Sequence, residues 1–158
     1  MTTHVICIGS VLWDIIGRTE LNMRVGHDVP GHITRIPGGV AYNIAQELTR
    51  LRLTPILLTS VGQDANGDAL LTHCRGMGMI TDHVHISPIH STDSYMAIEA
   101  ANGLVAAIAD AHSLEQVGDA ILTPLSNGAL GDENSPFGGV AIIDGNLTES
   151  LLETLAQS

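Results

Sequence analysis

The sequence predicts an α/β protein, a layered sheet with helices packed on it and a separate small β subdomain. Three features carry this prediction. Short aliphatic runs at 5–8, 56–58 and 140–143 have the unbroken hydrophobicity of strands covered on both faces. Stretches with helical spacing follow such runs. Two strand-rich segments, 19–36 and 95–109, interrupt that rhythm. At 158 residues, 44% hydrophobic and 15% charged, the chain fits one folded domain and excludes a disordered tail. Only one Trp, two Tyr and one Phe are present, so the core is expected to be aliphatic, packed closely with the help of 17 Gly.

Val5–Ile8 ends at Gly9-Ser10 and reads as a buried strand feeding a loop. Residues 19–36 alternate weakly around Gly26, Pro30 and Gly31, which suggests short strands joined by turns. After Pro37-Gly38-Gly39, apolar residues at Ile44, Leu48 and Leu51 predict a helix over 40–53, closed by Pro55. Ile56-Leu57-Leu58 with Val61 reads as the next buried strand. Asp64 and Asn66 can cap a helix over 65–77, ending at Gly76 or Gly78. A strand is expected over 82–87, and strands 95–99 and 104–109 join at Asn102-Gly103 as a hairpin. Ser113 would cap a helix over 114–122. Residues 126–139 are a long polar loop, Val140–Ile143 is one more buried strand, and a helix over 147–156 is capped by Thr148.

All six cations are arginines, and the net charge is −11. The lack of lysine excludes a Walker-type phosphate lysine and a Schiff base. The negative balance argues against nucleic acid as a partner. Cys7 and Cys74 lie far apart in sequence, so no disulfide framework is expected and a reducing cytoplasm fits. No run reaches the ~18 apolar residues of a membrane span, and the start has no basic signal-type region, so no membrane partner is expected. His83-Val84-His85, with His73 and His90 nearby in sequence, invites a metal reading. No Cys or carboxylate completes a site pattern, and ordinary histidines are expected.

Gly38-Gly39-Val40-Ala41-Tyr42-Asn43 is the segment richest in chemistry. Paired glycines let a backbone approach a ligand, and a helix start offers free N–H groups. Asn43, one turn in, can donate to and accept from a sugar hydroxyl. A tight turn with a satisfied polar residue is the other reading, and both stay open on this pattern. Asp14 follows the first strand by a few residues, where open sheets collect ligands and a carboxylate could accept from two vicinal hydroxyls. Taken alone, it would read as a solvated loop aspartate.

Val5-Ile6-Cys7-Ile8-Gly9 followed by Asp14, then Gly38-Gly39-x-x-x-Asn43-x-Ala45, then Val61-Gly62-x-Asp64-x-x-Gly67, resembles the N-terminal signature of the ribokinase/PfkB family of carbohydrate kinases. The resemblance runs through essentially all of the chain. It implies a ribokinase-like three-layer αβα sheet with a small β lid, formed by strands around 15–37 and 94–110. It implies that Asp14, Gly38, Gly39 and Asn43 bind sugar hydroxyls. Thr92-Asp93-Ser94-Tyr95 with 106–110, and Ile143-Asp144-Gly145-Asn146-Leu147-Thr148, look more like pseudouridine kinases. On that resemblance Asp110 and Asn146 reach a nucleoside. A ribokinase usually has lysine after the paired glycines; Val40 stands there and counts against ribose.

The family's catalytic aspartate lies in a Gly-x-Gly-Asp turn in the C-terminal half. The nearest string here, Gly128-Ala129-Leu130-Gly131-Asp132, has an extra residue and runs on into Glu133-Asn134-Ser135-Pro136, so it reads as a loop. The resemblance therefore implies the substrate-binding half of a kinase, with no catalytic residue in this chain and the ATP-binding half absent. ATP and Mg²⁺ would belong to the complete enzyme. A non-catalytic sugar- or nucleoside-binding module is the alternative from another class. A homodimer through the lid or an uncovered sheet edge fits either.

Overall fold

The computed structural model describes residues 4–157. In chain order the elements are β1 (Val5–Ile8), β2 (Leu12–Arg18), β3 (His32–Gly38), α1 (Val40–Arg50), β4 (Pro55–Leu58), β5 (Ser60–Gly62), α2 (Ala65–Gly76), β6 (His85–Ser87), β7 (Ser94–Ala100), β8 (Gly103–Asp110), α3 (Ser113–Val117), a 3₁₀ helix (Gly118–Leu125), β9 (Val140–Ile143) and α4 (Glu149–Gln157).

Strands β4, β1 and β9 form a parallel sheet in that order, in register so that Ile8 lies beside Leu58 on one side and Ile143 on the other. Side chains alternate across this sheet. Cys7 and Leu57 pack against Ala41, Tyr42 and Ala45 of α1 and Leu70, Leu71 and Cys74 of α2. Ile6, Ile8, Ile56 and Leu58 pack on the other face against Ile121 and Leu122 of the 3₁₀ helix and Leu147 and Leu151 beside and within α4. Helices therefore cover both faces, which gives the expected three layers.

A second sheet runs in the order β3-β2-β7-β8. Strand β2 pairs antiparallel with β3 and parallel with β7, and β7 forms a hairpin with β8. The register puts Ile36, Asp14, Tyr95 and Ala109 side by side on one face. The other face carries Ile15, Met96 and Ile108 in a row, with Ile33 near them. Strands β5 and β6 make a short parallel pair beside the main sheet.

Asp64 caps α2 by accepting from Gly67 N at 2.7 Å, and it also accepts from Thr92 N at 2.8 Å and Thr92 Oγ1 at 2.7 Å. Burial pushes this carboxyl up, but hydrogen bonds from Thr92, Gly67 and Asn66 outweigh it and hold the group below its ordinary value. Its stabilisation is present above the unfolded pKa and is lost as pH falls through the lowered folded one.

Several expectations need correction. Asp14 lies within strand β2, not in a loop after β1, and no strand occurs over 19–31. Helix α1 stops at Arg50, with Leu51 as its C-cap and Arg52 at φ 63°, so Pro55 begins a strand instead of ending a helix. The run 56–61 divides into β4 and β5, and the strand expected over 82–87 forms only at His85–Ser87. Ser113 is the first residue of α3, and its hydroxyl donates to Asp93. The helix expected to continue to Leu122 breaks at Gly118, at φ 56°, and tightens into the 3₁₀ form. Strand β9 is not buried: it is the sheet's open edge, with Val140 51% and Ile143 39% exposed. At the opposite edge, β4 is bridged by Ile80 and is covered.

Thr59 joins β4 to β5, and Ser60 opens β5. Both are buried, and neither hydroxyl has a hydrogen-bond partner among the described residues. An unsatisfied buried hydroxyl costs about 1–3 kcal/mol. Thr59→Val, which keeps the shape and removes the hydroxyl, should raise the melting temperature by a few degrees, about 1 kcal/mol. Calorimetric unfolding checks this, and a lower melting temperature would show that the hydroxyl has a partner such as a buried water.

Candidate functional site

The sequence-predicted residues gather where the chain passes between the two sheets. Strand β1 ends at Ile8, turns through Gly9, Ser10 and Val11, and re-enters as β2, which carries Asp14. Strand β3 returns to Gly38, and Gly39 opens α1. A side chain on Gly38 would fall on the Asp14 carboxylate, which places the two in close contact. Gly39 has φ 94° and ψ 151°, a region that only glycine enters without strain, and it lies against the Ser10 backbone.

Asp14 is half-buried and accepts no hydrogen bond from the described residues. Burial alone pushes its carboxyl above the ordinary value. Asn43 stands one turn beyond Gly39, so the two share a side of α1, and its side chain is exposed. Its N–H donates to Gly39 O at 2.9 Å.

The expected free N–H groups at the start of α1 are largely taken. Val40 N donates to Ser10 Oγ at 3.0 Å, and Tyr42 N donates to Ser10 O at 3.3 Å. Ser10 is held in turn by Asp144, whose Oδ2 accepts from Ser10 N at 3.1 Å and Ser10 Oγ at 2.6 Å. Asp144 follows β9, and its Oδ1 accepts from Asn146 N at 2.8 Å. The loop bearing Asn146 and the turn bearing the paired glycines therefore meet through two side chains. Sequence reasoning gave no role to Ser10 or Asp144. The signal for them was the strand-ending Gly9-Ser10 and the Asp144-Gly145-Asn146 turn, but nothing local says that the two touch.

Asp110 falls elsewhere. It pairs with Ser94, and Ser94 with Trp13, so it stands on the sheet face opposite Asp14. Its charge acts on Asp93, a buried carboxylate that accepts from Ser113 N at 3.2 Å and Ser113 Oγ at 2.8 Å. Burial pushes the Asp93 carboxyl up, and the Ser113 bonds counter this only in part. Trp13 also lies on the face away from Asp14, donating to Asn66 O at 3.0 Å under the Arg35 guanidinium, which is 3.9 Å from its ring centre.

Asp132 sits in a turn that closes on itself: its Oδ1 accepts from Asn134 N and Ser135 N, both at 2.8 Å. No helix begins there. Cys7 and Cys74 are buried, and burial pushes both thiols to about 11, which keeps them protonated and poor as nucleophiles. Cavities of about 310 and 410 Å³ flank the loop between β2 and β3, lined by Arg18, Thr19, Gly31 and His32. They include none of Asp14, Gly38, Gly39, Asn43, Asp110 or Asn146.

A family model described as pfkB family carbohydrate kinase matches residues 2–127. Pseudouridine kinase from Escherichia coli (strain K12) is 37% identical over 95 residues, covering 60% of this chain and 30% of that protein. The uncharacterized sugar kinase YeiI of the same organism is 34% identical over 152 residues, covering 95% of this chain and 40% of that protein. A solved carbohydrate kinase from Agrobacterium tumefaciens matches with a TM-score of 0.80 at 23% identity, over 98% of this chain and 49% of its own. Ribokinase from Giardia lamblia gives 0.79 at 16% identity, over 99% and 49%. The chain thus spans less than half the length of these relatives. The two structures bear on fold alone, and they agree with the ribokinase-like α/β architecture. The chain belongs to the pfkB family of carbohydrate kinases.

Proposed function

We propose that these residues form the substrate side of an ATP-dependent kinase that phosphorylates the 5′-hydroxyl of a ribosyl compound, with pseudouridine as the substrate. One observation carries this reading: the Asp14 carboxylate is half-buried and without a partner among the described residues, pressed against Gly38. A carboxylate in that state gains from hydroxyl donors, and a ribosyl ring offers two adjacent ones. Gly38 and Gly39 let the Asp14 carboxylate and the Ser10 turn close in on the start of α1, and in this reading Asn43 and Asn146 border the ring. The similarity to a pseudouridine kinase supports the nucleoside, and Val40 in the position of the ribokinase lysine speaks against free ribose. The four-stranded sheet serves as the lid, with the Asp14 and Tyr95 face toward the substrate.

In this reading ATP and Mg²⁺ belong to the complete enzyme, not to these residues. No lysine is present, the start of α1 is occupied by Ser10, and among the described residues no three His, Cys, Asp or Glu side chains are grouped to hold a metal. The nucleotide side therefore lies outside this residue set, and so does the base that would deprotonate the 5′-hydroxyl. Losing an acid–base group typically costs 10²–10⁴-fold in rate, roughly, so turnover by residues 1–158 should fall to background. Calorimetry and a coupled ADP-release assay with pseudouridine, uridine and ribose test both parts. The expected result is nucleoside binding without ADP release. Absence of binding would overturn the site, and nucleoside-dependent ADP release that vanishes in Asp14→Ala would overturn the inactivity.

Asp14 should also separate binding from stability. Its raised folded pKa means that the folded state binds a proton more readily than the unfolded chain, so stability falls as pH rises through the window between the two. Asp14→Asn removes that charge and should leave the melting temperature unchanged or higher. The same change should weaken nucleoside binding by about 1–3 kcal/mol, roughly 5- to 150-fold in Kd. Lost stability with retained affinity would make Asp14 a structural residue.

The far side of the lid is apolar and exposed, with Ile33 80%, Ile108 68% and Met96 46% accessible, and β9 is an open strand edge. Both invite a second copy of the chain. Light scattering should show concentration-dependent association. Ile108→Lys should abolish it if the lid face is the contact, and Val140→Lys should abolish it if the edge is. A monomer at all concentrations would contradict both.

A further inference from the structure

We propose that Asp144 is a positioning residue for the nucleoside site, setting the start of α1 through Ser10 and setting Asn146 through its own loop. This rests on the ribosyl-binding reading above. Gly39 is the N-cap of α1 and has no side chain to cap it. Glycine is required there by its backbone angles, so the helix start must find its cap elsewhere. Ser10 supplies it from a distant strand end: its hydroxyl accepts from Val40 N and its carbonyl from Tyr42 N.

A serine hydroxyl has one proton, and at 2.6 Å that proton goes to Asp144 Oδ2. Its lone pairs are then left facing Val40. The carboxylate therefore fixes the direction of the cap as well as its place. Its negative charge lies one hydroxyl away from the positive end of α1, which favours the same arrangement.

Asp144 is 2% exposed. A buried carboxylate is costly unless it is well hydrogen-bonded, and here it receives Ser10 N, Ser10 Oγ and Asn146 N. Gly9 accommodates it, because a side chain at Gly9 would collide with the Asp144 Cβ. The carboxylate is not needed to hold the strands together. Strands β1 and β9 are already paired over four residues, and the Asp144 backbone N–H extends the ladder to Ile8 O at 2.9 Å. What the carboxylate adds is a fixed relation between two loops, one carrying the paired glycines and one carrying Asn146.

The geometry makes the variants distinguishable. Asp144→Asn keeps the shape, but its amide must turn an NH₂ toward either the Ser10 or the Asn146 donor, which releases one loop. Ser10→Ala cuts only the branch to α1, and Ser10→Thr restores a hydroxyl. Calorimetry with pseudouridine on the 158-residue chain, together with amide NMR of the same samples, tests this. Ser10→Ala and Asp144→Asn are each expected to weaken binding about tenfold or more, with the double variant losing less than the two effects combined and recovery in Ser10→Thr. The Val40 amide should exchange faster in Ser10→Ala, and in Asp144→Asn either the Val40 amide exchanges faster or the Asn146 amide shifts, according to which loop the NH₂ releases. Unchanged affinity in both variants of a chain that binds pseudouridine would overturn the proposal. If the unaltered chain binds no nucleoside, the ribosyl reading fails instead. The amide data then decide the relay: faster Val40 exchange in Ser10→Ala supports it, and unchanged exchange overturns it.

Discussion

The arrangement depends on how the chain crosses between its two sheets without letting them drift. The four-stranded sheet meets the αβα body at four crossings, and each is held by a single polar side chain or a close approach. Between β1 and β2, Ser10 is tied to Asp144. Between β3 and α1, Gly38 lies directly against Asp14. Between β6 and β7, Thr92 gives both its N–H and its hydroxyl to Asp64. Between β8 and α3, Ser113 does the same to Asp93. Three of the four clamps pair a carboxylate with a short hydroxyl residue. Such pairs are local and directional, and they tie the two sheets together where the chain crosses.

Much of the body was legible because its signals are periodic. The aliphatic runs of β1, β4 and β9, the helical spacing of α1, the Asp64 cap of α2 and the Asn102-Gly103 hairpin all follow from nearest-neighbour chemistry. The failures have a common cause, which is that the deciding partner is distant. Ser113 looks like a helix cap in sequence, yet its hydroxyl serves Asp93, twenty positions earlier. Val140–Ile143 reads as buried because it is apolar, but hydropathy does not record whether a strand has a neighbour on both sides. Periodicity gives no strand over 12–18, because Trp13 and Asp14 interrupt the aliphatic pattern, and only the resemblance placed a lid strand from about 15. In a sheet with two differently used faces, that interruption is the pattern.

The candidate site was legible in the same uneven way. Asp14, the paired glycines and Asn43 stand out in sequence because they form a short spaced pattern around a glycine-opened helix, and they do converge. Asp110 and Asn146 came from likeness alone. The register sends Asp110 to the face opposite Asp14, whereas the Asp144 carboxylate draws the Asn146 loop toward the glycine turn. Ser10 and Asp144 could not be found from sequence, since 134 positions separate them and each has an ordinary local role as a loop serine or a turn aspartate.

The four carboxylates at this junction differ in a way that bears on function. Asp64 and Asp144 are surrounded by donors from the protein that compensate their burial, and Asp93 is compensated in part by Ser113. Asp14 is half-buried and its carboxylate has no donor among the described residues, so its raised pKa comes from burial alone. A fold selected only for stability would exchange it for an amide or an apolar residue, since β2 is already fixed by β3 and β7 on its two sides. An uncompensated charge at the meeting point of two sheets is sensible if its donors arrive with a ligand. The neighbouring carboxylates then have a consistent role, because they hold the walls still around a group left unsatisfied until that ligand binds.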